Sequence, residues 1–156
     1  MKLNFSYEEK KDIIKAWLVI SLAFSILITN KIFSLDLLIN FFFSIFTVGI
    51  GFLLHELGHK FVAQRYRYFA EFRANDKMLL VSVASAFFGF LFAAPGGVVI
   101  GGGQDEKKLG NVAGAGPILN IVLALVFLLI SSMCSGFIKN LGFYGFNINS
   151  RLALFN

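Results

Sequence analysis

Apolar residues in this chain come in long runs, and the charged residues gather between the runs instead of alternating with them. The first run, from about Ile13 to Thr29, has Lys10, Lys11 and Lys15 on one side and Asn30 and Lys31 on the other. As a helix it sits at the lower end of the roughly 17–25 residues that cross a hydrocarbon core. A second run, from Ile32 to about Leu54, is interrupted only by Asp36 near its start, so the two should form a tight helical hairpin. A polar stretch, Lys60 to Lys77, follows with Lys60, Arg65, Arg67, Arg73 and Lys77 against Glu71 and Asp76, which reads as a cytoplasmic loop. The N-terminal lysines put Met1 on the same side, as two crossings require.

The third apolar stretch, Met78 to Ile100, predicts a helix over Met78–Ala94 that breaks at Pro95-Gly96-Gly97 and gives way to Val98-Val99-Ile100. A full crossing would place Lys107 and Lys108 outside, against the charge rule. A re-entrant excursion, or a helix with an extended return, keeps them inside as a solvated turn. Irregular backbone at that depth requires surrounding protein or a wet cavity. A further span is expected from about Asn111 to Met133, opening with Gly114-Ala115-Gly116-Pro117, whose small residues allow close helix contact. Ser135–Asn149 then reads as a polar, glycine-containing loop on the outer side. A last segment starts near Ser150 and stops at Asn156, as if cut inside an element.

Composition sharpens this pattern. Hydrophobic residues make up 57% and charged residues 15%, against about 45–50% and 25% in soluble proteins. The resulting expectation is an all-α membrane protein: a helical transmembrane bundle with a glycine-rich re-entrant or β-like segment, C-terminally truncated, multi-pass in the cell membrane. Residues 1–156 are expected to form a single domain. The net charge of +5 lies between apolar runs, where it sets orientation against a lipid bilayer, so no nucleic-acid partner is expected. Cys134 is the only cysteine, which excludes an intrachain disulfide and metal binding by cysteine pairs. No small-residue cleavage site follows the first apolar run, so it is kept as a span. Trp17 reads as an interface anchor.

Only two histidines occur, both in His55-Glu56-Leu57-Gly58-His59. On a helix, positions i and i+4 share a face, so both imidazoles can reach one ion. Glu56 lies about 100° around that helix and can address a water on the ion without taking a ligand position. This is the HExxH arrangement, in which two histidines hold Zn2+ and the glutamate is the general base. Asp36 lies about nineteen residues up the same helix, roughly 28 Å away, and cannot join them. Asp76, Asp105 and Glu106 have no motif that places them beside His55.

With these residues the chain resembles the site-2-protease family of intramembrane zinc metalloproteases, over a core of roughly residues 32–156. His55 to His59 matches the zinc motif, and Ala63 fits a small residue found beyond it. Ala115-Gly116-Pro117-Ile118-Leu119-Asn120 is similar to the Ala-Gly-Pro-x-x-Asn element that opens a later core helix. Leu154-Phe155-Asn156 resembles the start of the motif whose Asp, some eight residues further on, is the third zinc ligand. The glycine-containing excursion of the family is similar to Met78–Gly103. The resemblance implies a peptidase for transmembrane protein substrates, with Glu56 activating a zinc-bound water and Asn120 and Asn156 contacting substrate. Strand addition of an unwound substrate to Val98-Val99-Ile100 is an associated expectation. A non-catalytic partner-binding protein of the same fold, or a metal or ion transporter, remains open at this point.

Overall fold

The computed structural model describes residues 3–29, 34–92, 95–102 and 105–154. The first helix, α1 (Tyr7–Ile28), starts well ahead of the apolar run. Ser6 caps it by accepting the Glu9 N–H, and Glu8 and Glu9 fill its first turn, where the exposed N–H groups favour negative charge. Helix α2 (Leu35–Arg65) is continuous over 31 residues and widens into a π-helical turn at Ile45–Gly49. There the Ile50 N–H reaches the carbonyl of Ile45, and the Trp17 indole donates to the same oxygen at 3.3 Å. Trp17 therefore packs on the bulge of α2, over Gly49, where a Cβ would collide with its ring.

Strand β1 (Phe69–Ala74) pairs antiparallel with β2 (Gly96–Gly101), with Phe69 opposite Gly101 and Ala74 opposite Gly96. Between them lies α3 (Asp76–Phe87), capped by Asn75. Its 12 residues reach about 18 Å at 1.5 Å per residue, well short of a hydrocarbon core of about 30 Å. The chain leaves the sheet at Ala74 and returns beside it at Gly96. An excursion that comes back to its origin is what the extended-return reading anticipated. The helix is shorter than the expected Met78–Ala94, because the chain turns at Phe88 and Gly89 (φ +81°).

Three further expectations are corrected. Lys60 to Lys77 is not a loop: α2 runs on to Arg65, and β1 occupies its middle. Lys60 is 1% exposed and paired with Glu9, which is 0% exposed. Lys107 and Lys108 are not in a free turn but in the first turn of α4 (Glu106–Met133), which Asp105 caps. Ser135–Asn149 is helix α5 (Gly136–Leu154), which packs back along α4. Its glycines serve close contact rather than looping: a Cβ on Gly142 would stand 2.5 Å from the Ser131 nitrogen, and one on Gly145 would enter the Phe127 ring.

Among the described residues two helices, α2 and α4, are long and apolar enough to cross a membrane, with mean hydropathies of 2.3 and 2.4. Ala16, Ile20, Val48, Phe52, Phe72 and Leu79 form the core between α1, α2, the sheet and α3. A smaller cluster, Ala63, Ala70 and Val112, ties the end of α2 to β1 and α4. It lies one turn beyond His59.

Candidate metal centre

His55, Glu56 and His59 lie well inside α2, past the π-helical turn that ends at Gly49. His55 is buried, and Glu56 and His59 are half-buried. The imidazole rings stand 4.7 Å apart between centroids and nearly perpendicular, at 80°. Opposite them α4 presents Val112, Gly116 and Asn120, spaced four residues apart and so on one face. The His59 Nδ1 donates to the Val112 carbonyl at 2.7 Å. A carbonyl only accepts, so Nδ1 carries the proton and Nε2 the lone pair. The His55 Nδ1 meets the Asn120 Oδ1 at 3.3 Å, which favours the same tautomer.

Gly116 explains why the two helices can approach so closely here. A Cβ at that position would lie 2.5 Å from His59 Nε2 and 2.6 Å from His55 Nε2. Both ligand-type nitrogens thus face one point that any larger residue would fill. Gly58 makes the reciprocal contact, against the Ala115 carbonyl and Leu119. Two lone-pair nitrogens around a common point suit zinc and similar nitrogen-preferring divalent ions, with the Nδ1 partners holding the rings from behind. The donor set fits a metal ion as a pair. Among the described residues no cluster of three His, Cys, Asp or Glu is placed to share one ion. Asp76 instead pairs with Lys15, and Asp105 caps α4 and pairs with Lys108.

Glu56 faces the sheet. The Val98 N–H is directed at its carboxylate, and a Cβ on Gly97 would sit 4.0 Å from Oε2. The edges of the sheet are treated differently. On β1 three outward groups are taken: Glu9 accepts the Phe72 N–H at 2.9 Å, Asp12 accepts the Ala74 N–H at 3.3 Å, and Gln64 donates to the Ala70 carbonyl at 3.2 Å. Since Phe72 pairs with Val98 and Ala74 with Gly96, the outward groups of β2 lie at Gly96, Val98 and Ile100. That edge runs past Glu56.

Of the site residues expected from sequence, His55, Glu56, His59 and Asn120 come together, and Asn156 lies outside the described residues. Sequence reasoning missed the Val112 carbonyl, the spacing role of Gly116 and the Val98 N–H. The repeat of 112, 116 and 120 at one helical face was the available signal for the first two.

The chain is 36% identical over 144 residues to a protein of Methanocaldococcus jannaschii named "Putative zinc metalloprotease MJ0611"; the match covers 88% of this chain and 75% of that protein. No family model and no solved structure matches the chain.

Proposed function

The chain belongs to the same family as that archaeal protein, and from this premise we propose that it is an intramembrane zinc metalloprotease of the site-2-protease kind. The observation that carries the reading is the convergence of His55 Nε2 and His59 Nε2 on one point beside Gly116, with Glu56 on the next helical position. In this reading His55 and His59 supply two of the zinc ligands. Zinc held there supplies the Lewis acidity that polarises a peptide carbonyl and acidifies water. Glu56 is the carboxylate able to take the proton of an attacking water and pass it to the leaving amine. The outer edge of β2 offers backbone groups to an unwound substrate segment, fixing it beside Glu56. Asn120, whose Nδ2 is buried with no partner among the described residues, and Asn156 are the candidates for holding substrate.

In this reading α1, α2 and α4 cross the bilayer, so that the start of α1 and the sheet both lie on the cytoplasmic side. The two basic segments touch, through Lys15–Asp76 at 2.6 Å and Arg73–Asp12 at 3.9 Å, which supports a shared side. The test is Glu56→Gln in the full-length protein, purified with a transmembrane substrate. Zinc content should stay unchanged while cleavage falls by about a hundredfold or more, as for loss of a general base. Undiminished cleavage at full zinc content would end this reading.

A further inference from the structure

Beside His59 a recess of about 270 Å³ opens between β2 and α4, lined by His59, Val98, Ile100, Leu109, Val112 and Ala113. Apart from the imidazole its walls are aliphatic. It lies just below the roughly 300–1,000 Å³ of sites that enclose a whole small ligand, and has room for one large side chain. Val112, 2% exposed, belongs to the packed cluster behind it. The opposite face of β2 has a different character: Val99, 53% exposed, lines a separate cavity with Arg73, Asp76 and Lys77. The strand thus has an apolar face toward the histidines and a charged one away from them.

A chain segment added to the outer edge of β2 would alternate its side chains between these two faces, as every strand does. Residues on the Val98 and Ile100 side would lean over the recess. We propose that this recess is a side-chain subsite, taking one aliphatic side chain of leucine or methionine type from the substrate residue next to the scissile bond. A charged side chain there would lose its hydration with no partner among the lining residues except His59, whose Nδ1 is already committed to Val112. On the other face, Arg73, Asp76 and Lys77 accept polar neighbours. The substrate is therefore a transmembrane segment that unwinds into an amphipathic strand, apolar toward the metal pair.

This inference rests on the protease reading, and the test separates the two. Transmembrane substrates carrying Ala, Leu, Phe or Asp next to the cleaved bond are compared by kcat/KM with the full-length protein. The wild type should prefer Leu over Ala by about ten- to hundredfold, the discrimination that a few methylenes give in an apolar pocket. Leu109→Trp, which narrows the recess, should invert the Leu-to-Ala ratio, and Leu109→Ala should shift preference toward Phe. An unchanged ratio in both variants, with cleavage still dependent on Glu56, overturns the subsite and leaves the protease reading standing. A second measurement needs no turnover: in Glu56→Gln protein lacking Cys134, with diamide added as the oxidant, Leu109→Cys should form a disulfide with a substrate cysteine at that same position and not with one a single residue away. Equal cross-linking at both positions overturns the subsite whether or not the protein is a protease.

Discussion

His55 and Asn120, 65 positions apart in the chain, meet in the buried seam between α2 and α4 with Nδ1 3.3 Å from Oδ1. Asn120 is 0% exposed, so this contact is made away from solvent. By accepting from Nδ1, the carboxamide oxygen keeps the lone pair on Nε2, the nitrogen that faces Gly116. A partner of this kind usually contributes ten- to a hundredfold to metal affinity. Asn120→Leu keeps the bulk and removes the acceptor, so zinc affinity measured against a competing chelator should fall by about that factor. Asn120→Asp keeps an acceptor oxygen and should lose less. Wild-type affinity in Asn120→Leu would show that packing alone orients His55.

The glycines of α4 separate a site requirement from a helix requirement. Gly116→Ala places a Cβ 2.5–2.7 Å from three imidazole atoms. Neither ring can retreat freely, because Asn120 and Val112 hold the Nδ1 atoms. The variant should keep its helical content but lose most bound zinc, with cleavage down by about a hundredfold, the usual cost of misplacing catalytic groups by about 1 Å. Gly110→Ala meets no atom within 4 Å and should stabilise the helix by about 0.5–1 kcal/mol. Thermal unfolding and zinc analysis of the two variants in detergent give the comparison. Bound zinc retained in Gly116→Ala would contradict the geometry.

The zinc motif was legible because it is local: His55 and His59 stand one turn apart on one helix, and no other histidine competes for the reading. The helices around it were legible from their apolar runs, and the excursion from the charges that flank it. What failed was long-range. Lys60 looked like a loop cation because nothing in its neighbourhood announces Glu9, 51 residues earlier. Residues 135–149 looked like a loop because Gly142, Gly145, Asn147 and Asn149 are poor helix formers. Their glycines are used instead for contact with Phe127 and Ser131, a tertiary gain that overrides propensity. The π-helical turn at Ile45–Gly49 left no sequence mark that could be read without knowing that Trp17 lies against it.

The Glu9–Lys60 pair gives the sharpest stability prediction. Both side chains are buried, with Nζ 2.5 Å from the carboxylate, and Glu9 also accepts the Phe72 N–H. One contact therefore joins α1, α2 and β1 immediately beside His59. Two desolvated charges in such a pair roughly cancel their own desolvation cost, but removing one strands the other. Lys60→Met or Glu9→Leu alone should lower stability by about 3–5 kcal/mol, read from unfolding in mixed micelles. The double variant should cost clearly less than the two single losses added together, since no charge is left alone. Its residual loss comes from the Phe72 N–H, which then has no carboxylate. Lys15→Ala, which breaks a surface pair with Asp76 that is 40% and 75% exposed, should cost no more than about 1 kcal/mol. Raising salt should weaken that surface pair and leave the buried one nearly untouched, because screening acts on charges that water reaches. Strict additivity of Glu9→Leu and Lys60→Met would mean that the two residues stabilise the fold separately, and that the end of α1 is held against β1 by its backbone contacts instead.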